Sequence, residues 1–347
     1  MVSVMQAFEA IEPLNAVLPK SASDYYNLVR ADLSRIDSNI HVIENALLTV
    51  DYTLPYMYKF SISLEDGSYY DDMPQMCELE PCENVKVINE TVGFIEDKFT
   101  VFNVCHFLFD KLARTVELKD CGVDSFLLFR EHQYFNDVFS ILDICQTKLG
   151  EHNNGVVTYK IKKLCVSTSS FRFRHPGFNF RPEVMDMLNS LKSKVLKQGG
   201  TESSSKRIYV DRNTVGARNV VNKDEFYSVL NNYGFDCIAF ENYTLFEQAN
   251  IVNGADVMLG VHGAGLSNAM FFENTSFKLL EILPPLCAHS DYWKLSNAFG
   301  IGYDAFIAKD LERETPDYPT WVHDGTLNRR DIIVDERSFS AFLELHV

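Results

Sequence analysis

The chain has 347 residues, of which 46% are hydrophobic and 23% charged, with a formal net charge of −16. That balance excludes a disordered chain and leaves room for two domains of ordinary size. So strong a negative charge also excludes a general affinity for nucleic acid or an anionic membrane surface, which makes any local cluster of arginines informative.

Residues 1–20 have no basic n-region and no long apolar core, so they do not read as a signal peptide. No stretch approaches the roughly 20 apolar residues of a membrane span. A cytoplasmic protein is expected; the alternative is a Golgi or ER lumenal catalytic domain separated from its anchor. Strands are predicted over residues 39–53 and 56–64, the second followed by a Glu65-Asp66-Gly67 turn. An amphipathic helix follows over 102–118, a strand over 125–130, a helix over 136–149 and a strand within 156–166. A helix over 181–196 begins after the turn-rich His175-Pro176-Gly177. The Gly- and Ser-rich residues 198–205 read as a linker.

Beyond the linker the pattern alternates. Residues 207–211 read as a strand. Asn222 with Glu225 has the spacing of a capping box, opening a helix that ends near Gly234. A strand over 236–240 leads to a second capping box, Thr244 with Glu247, whose helix stops at Gly254. An apolar strand over 256–261 runs into His262-Gly263-Ala264-Gly265, a helix-compatible segment over 266–272 and a strand over 277–283. A helical pattern lies within 331–347. Strands and helices alternating with short connections predict a parallel sheet covered on both faces. Ligands of such sheets bind at the carboxyl ends of the strands. The whole reads as two α/β domains facing each other across a cleft.

The residues that carry chemistry fall on that edge. A glycine turn at a helix N-terminus brings backbone N–H groups close to an anion, and the helix dipole favours negative charge there. Gly263 and Gly265 are therefore candidate phosphate binders; helix–strand packing alone is the alternative. Arg212 and Arg218 lie in a strand-to-helix loop on the same edge and match phosphate oxygens bidentately. Glu281 is a carboxylate inside an apolar strand, placed either to accept ribose hydroxyls or simply to face an edge. Asn103, His106 and Asp110 lie on the helix over 102–118. His106 and Asp110 are i and i+4 and share a face, as a general base held by a carboxylate would be, or as a structural polar pair.

Several motifs are missing. No Asp-x-Asp triplet occurs, so the metal–diphosphate anchor of one class of sugar-nucleotide enzymes is absent. G-x-x-G-x-G replaces the dinucleotide fingerprint, and there is no Walker lysine. Gly265-Leu266-Ser267-Asn268-Ala269 resembles a degenerate nucleophile elbow, so an α/β serine hydrolase is kept as an alternative. The eight cysteines show no CxxC spacing, which argues against zinc ribbons and predicts buried, reduced thiols. Sequons at Asn89, Asn242 and Asn274 are no more than chance supplies.

Together these residues resemble family 61 glycosyltransferases. The family's His-Gly-Ala-Gly-Leu, then Ser or Thr and Asn, is similar to residues 262–268, and its Glu-Ile-x-Pro to residues 281–284. Its Arg, short loop, Arg, Asn and acidic residue resemble Arg212, Arg218, Asn222 and Glu225. Its Asn-x-x-His-x-x-x-Asp helix resembles Asn103, His106 and Asp110. The resemblance implies a GT-B architecture of two Rossmann-like α/β domains. These would be an acceptor-side domain over 1–197, a nucleotide-sugar-binding domain over 206–330 and a helical tail over 331–347. It also implies inverting transfer of xylose, N-acetylglucosamine or a pentose from a UDP-sugar to a hydroxyl of a glycan or glycoprotein, without a metal or other cofactor. The donor site would comprise Arg212, Arg218, His262, Gly263, Ala264, Gly265, Leu266, Asn268 and Glu281, with Asp110 or His106 as catalytic base. A non-catalytic nucleotide-sugar or glycan-binding protein would share the glycine turn but need no base.

Overall fold

The computed structural model describes residues 2–8, 38–53, 59–70, 79–96, 103–129, 132–149, 155–167, 180–199, 205–212, 218–285, 290–311 and 331–347. Residues 175–177 and residues 200–204 of the expected linker lie outside them. Among the described residues the chain divides into two compact units between Leu191 and Lys192, within the helix Pro182–Gln198.

Among the described residues the first unit is built on one seven-stranded mixed sheet. Its strands are β1 (Val2–Phe8), β2 (Ser38–Asp51), β3 (Lys59–Ser63), β4 (Val85–Phe94), β5 (Ser125–Leu128), β6 (Gln146–Lys148) and β7 (Val156–Ser167). β2 is long enough to pair antiparallel with β1 along its first half and β3 along its second, while its other edge takes β7. β7, β4, β5 and β6 run parallel in that order. The predicted strands over 39–53, 56–64, 125–130 and 156–166 are thus present within a few residues. β4 carries no such signal in the sequence because its first half is solvated: Val85 and Val87 are 48% and 62% exposed, and only its last three residues are buried. The helix expected over 136–149 is shorter, Gln133–Ile141. Asp143 then takes a left-handed φ of 57°, which Asp tolerates better than most residues, and the chain continues into β6.

The crossover from β4 to β5 is the helix Val104–Leu118, interrupted by a π turn at Phe107–Lys111, where Leu112 N–H bonds back to Phe107 O. Asn103 caps it, its side chain accepting from Cys105 N and His106 N. One face buries Phe107, Leu108, Leu112 and Val116. The same helix buries charges, each with a partner. Lys111 Nζ donates to Glu96 Oε2 at 2.5 Å, and Glu96 Oε1 accepts from Phe129 N at 2.9 Å. Arg114 Nη1 donates to Ile95 O at 2.5 Å. Residues 95–96 follow β4 and Phe129 follows β5, so these bonds tie the helix to the carboxyl edge of two parallel strands.

The second unit holds a sheet of five parallel strands. They are β8 (Arg207–Val210), β9 (Asp236–Ile238), β10 (Val257–Val261), β11 (Lys278–Leu283) and β12 (Gly302–Ile307), in the order β12-β11-β10-β8-β9. This is the sheet that the alternation of the sequence predicts, and both units are α/β. Thr244 and Glu247 form the expected capping box of the helix Leu245–Gly254. Asn222 does not cap the helix Lys223–Asn232. Its side chain instead donates to Val334 O at 2.8 Å and accepts from Val334 N at 3.1 Å, a strand-like pair of bonds to a residue far along the chain. The expected C-terminal tail is part of this unit's core: Ile332, Val334, Phe339, Phe342 and Leu343 cluster with Phe226, Leu230 and Leu280.

The buried Lys111–Glu96 pair makes a test of the first unit. Glu96→Leu strands an ammonium in the core and is expected to destabilise the chain by ~3–5 kcal/mol, whereas Glu96→Leu with Lys111→Met removes both charges and recovers most of that loss. Denaturant midpoints of the single and double variants measure it; equal midpoints would show that the pair is not buried as described.

Candidate functional site

Two groups of polar residues gather at the carboxyl edges of parallel strands, one in each unit. In the second unit the organising feature is the contact between Arg212, two residues past β8, and Gly263, two residues past β10. Gly263 has φ 171° and ψ 164°, an extended conformation open to any residue. Glycine is needed there for space: a Cβ on Gly263 would lie 1.6 Å from Arg212 Nη1 and 2.9 Å from Arg212 Cζ. Two further glycines bring the turn to that position. A Cβ on Gly265 would meet Val210 Cγ1 at 2.7 Å, and one on Gly260 would meet Leu266 Cδ2 at 2.8 Å. Their bareness lets the helix after the turn lie directly against β8 and β10.

That helix, Ala264–Phe271, is 3-10 rather than α. Its tighter i→i+3 winding gives Leu266 N–H to Gly263 O at 3.0 Å. Leu266 therefore contributes packing, while the N–H groups of Ala264 and Gly265 stand at the open N-terminus of the helix. Asn268 is 2% exposed and braces the helix, donating to Gln248 Oε1 at 2.9 Å and to Gly265 O at 3.2 Å. Ser267 is fully buried and donates to Ala264 O at 2.5 Å. A hydroxyl so placed is no nucleophile, which removes the serine-hydrolase reading.

His262 and Glu281 are paired beneath the turn. The imidazole Nδ1 of His262 bonds to one Glu281 oxygen, and Tyr303 donates its hydroxyl to the other. Glu281 is 1% exposed in the middle of β11, so its carboxylate holds His262 and Tyr303 instead of standing open at the strand end as a ribose acceptor would. From the helix Asp291–Phe299, Tyr292 donates to Gly263 O and sets its ring edge-on to His262 at 5.3 Å between centroids. Sequence reasoning missed Tyr292 and Tyr303. Both lie beyond the glycine motif, on elements for which no pattern was read.

Arg218 lines a pocket with Arg212 and Lys223. Its backbone is left-handed at φ 60°, unusual for a residue with a side chain and of the kind found at functional sites. Its Nε is buried without a hydrogen-bond partner among the described residues. Burial and then the neighbouring Arg218 charge lower the Arg212 pKa to about 10, so Arg212 remains a cation at neutral pH but an uncomfortable one. Like charges held together in a partly buried pocket are stabilised by an arriving anion.

In the first unit the capped N-terminus of the crossover helix presents the second group. His106 Nδ1 lies 2.5 Å from Asp110 Oδ2, with side chains 18% and 11% exposed. Asp110 belongs to the π turn, a feature common at functional sites. The pair is a carboxylate and an imidazole able to orient one another and to take up a proton. Among the described residues no group of three or more His, Cys, Asp or Glu side chains could hold a metal ion. None of the described helices is long and apolar enough to cross a membrane.

The α/β chain thus gathers two arginines and a glycine turn at the edge of the parallel sheet of its second unit, and a carboxylate–imidazole pair on the crossover helix of the mixed sheet of its first. The chain belongs to glycosyltransferase family 61, whose profile it matches over residues 104–277, from the first turn of the His106 helix to the start of β11. It is 29% identical over 130 residues to an alpha-1,3-arabinosyltransferase, XAT3, of Oryza sativa subsp. japonica, covering 35% of this chain and 22% of that one. It is 30% identical over 108 residues to the EGF domain-specific O-linked N-acetylglucosamine transferase of Drosophila melanogaster, covering 30% of this chain and 20% of that one. The match thus spans about a fifth of the length of each relative.

The Arg212–Gly263 contact predicts a separation of effects. Gly263→Ala displaces the guanidinium and is expected to weaken pyrophosphate or UDP binding at least ~10-fold with little change in Tm, because the backbone there suits alanine. Gly265→Ala drives a methyl into Val210 and is expected to lower Tm by several degrees. Calorimetric titration and thermal melts of both variants check this; unchanged anion affinity in Gly263→Ala would remove Arg212 from the site.

Proposed function

We propose that the chain is an inverting, metal-independent glycosyltransferase of GT-B architecture that moves a sugar from a UDP-sugar to a hydroxyl of a glycan or glycoprotein. The observation that carries this is the Arg212 guanidinium seated in the space over Gly263, with Arg218 beside it. Two fixed cations and the N–H groups of Ala264 and Gly265 suit a diphosphate, and they supply the positive charge that a metal ion would otherwise provide. In the reaction the acceptor oxygen bonds to the anomeric carbon as the bond from that carbon to the donor phosphate oxygen breaks. The electron pair leaves with UDP, whose growing charge Arg212 and Arg218 stabilise. The hydroxyl proton passes to Asp110, oriented by His106, or to His106 itself. A single displacement of this kind inverts the anomeric configuration.

Glu281 we assign to positioning. Its bond to His262 Nδ1 fixes the ring and turn that precede Gly263, and the imidazole offsets a carboxylate that would otherwise repel a phosphate. The relatives' names, an arabinosyltransferase and an N-acetylglucosamine transferase, support a pentose, xylose or N-acetylglucosamine as the sugar transferred. A cytoplasmic location remains the working proposal. A nucleotide-sugar-binding protein without catalysis would leave the His106–Asp110 pair with no task.

Two measurements test the reading. UDP is expected to raise the Tm of the chain, equally with and without EDTA, and Arg212→Ala or Arg218→Ala is expected to remove that shift and to lower transfer by ~10²–10³-fold. A shift that vanishes in EDTA would overturn the metal-independent donor site, and a shift with another nucleotide only would change the donor. Asp110→Asn is expected to lower transfer by ~10²–10⁴-fold while the UDP shift stays as in the unmodified chain. Full activity of Asp110→Asn would move the base to His106.

A further inference from the structure

The left-handed backbone of Arg218, φ 60°, costs free energy for a residue with a side chain and persists only where neighbouring contacts over-determine it. Those contacts come from the segment 331–334. Asp331 Oδ1, on a residue 112 positions after Asn219, accepts from Asn219 N at 2.8 Å and from Asn219 Nδ2 at 3.0 Å. Ile332 N donates to Asn219 O at 2.9 Å, and Val221 N donates to Ile332 O at 2.9 Å, making a parallel bridge between Val220 and Ile332. The Asn222 side chain takes both backbone groups of Val334. The segment is itself anchored, since Ile332 and Val334 are buried in the core of the second unit.

Within this ladder the half-buried Asp331 carboxylate has a distinct task. The Asn219 N–H belongs to the peptide plane that starts at the Arg218 carbonyl, so its direction is set by ψ of Arg218. Holding that N–H on Asp331 therefore fixes the turn at Arg218 and, with it, where the side chain leaves the backbone. The rungs from Ile332 and Val334 act on the other side of the Asn219 α-carbon. The charge of Asp331 runs against its location. Asn219 lines the pocket with Arg212, Arg218 and Lys223, and a carboxylate bonded to the wall of a cationic pocket weakens its attraction for an anion. The geometry that Asp331 imposes accounts for its place there; its charge does not.

We propose that Asp331 is a positioning residue for donor binding: by holding the Asn219 N–H it keeps Arg218 in the left-handed turn from which the guanidinium meets the diphosphate. The inference rests on the donor-site reading above, and it extends that site to a residue beyond the family match over residues 104–277.

Charge and geometry predict opposite signs, and calorimetric titration of the full chain with inorganic pyrophosphate and with UDP tells them apart. Asp331→Ala removes both the charge and the acceptor and is expected to weaken both ligands about 10-fold. Asp331→Asn removes the charge but keeps an oxygen for the two donors, and is expected to bind at least as tightly as the unmodified chain. Arg218→Ala combined with Asp331→Ala is expected to bind no more weakly than Arg218→Ala alone, because the carboxylate acts through the arginine. Asp335→Ala removes the cap of the helix Glu336–Glu344 and is expected to lower Tm by a few degrees with affinity unchanged, which separates loosening of the tail from loss of the Asn219 bonds. If Arg218→Ala weakens binding, the donor site stands; the inference is then overturned by affinity that is unchanged or raised in Asp331→Ala, or by an equal loss in Asp331→Asn or Asp335→Ala. Unchanged affinity in Arg218→Ala would instead overturn the donor-site reading, and this inference with it.

Discussion

The second unit depends on one steric fact: the guanidinium of Arg212 occupies the volume that a side chain on Gly263 would fill. Everything around it serves to make that approach possible. The bare backbones of Gly260 and Gly265 let the 3-10 helix lie against Val210 and bring the turn to the end of β8, two residues from Arg212. Tyr292 holds the far side of the turn through Gly263 O. Each glycine of the motif thus has its own reason, and none of the three reasons is a left-handed backbone. A rule that equates glycine with conformational freedom would find the right residues for the wrong cause.

The cost of this arrangement is electrostatic. Two arginines share a partly enclosed pocket, and burial and mutual repulsion both act on Arg212. A buried carboxylate near them could relieve the repulsion, but it would also cancel the field that an anion needs. Glu281, the buried carboxylate of β11, is engaged by His262 and Tyr303. Pairing Glu281 with an imidazole and a phenol keeps its charge satisfied locally.

Much of this was legible in the sequence because the second unit is regular. Short apolar runs, a capping box at Thr244 and the glycine turn give a parallel sheet and place Arg212 and His262 on one edge. What was not legible came from contacts between residues distant in sequence. Asn222 has the spacing of a cap, yet its side chain pairs with the backbone of Val334, which no local pattern announces. Tyr303 reaches Glu281 from a neighbouring strand and Tyr292 reaches Gly263 from a later helix, so their roles exist only once the sheet order is known. In the first unit the solvated half of β4 hides the strand, because exposed valines alternate with polar residues without a buried face to mark them. The His106–Asp110 spacing was visible, but the π turn that carries Asp110 was not, since it is an extra residue in a helix and leaves the apolar period almost unchanged.

That extra residue explains how the first unit holds a polar pair at a helix start that is also tightly buried. The π turn bonds Leu112 N–H to Phe107 O, one residue wider than an α turn. Adjacent residues within it have opposite duties. Asp110 bonds to His106 with both side chains partly exposed, while Lys111 is wholly buried on Glu96. Glu96 in turn accepts from Phe129 N, so one carboxylate joins the helix to the ends of β4 and β5. A buried ion pair is poor value as a source of stability, since an apolar pair of similar volume does as well or better. Its worth here is directional: it fixes the residue next to Asp110 against two strand ends, and so sets where the neighbouring carboxylate can stand. An apolar substitute could fill the same space but could not hold that register through a bond of defined direction.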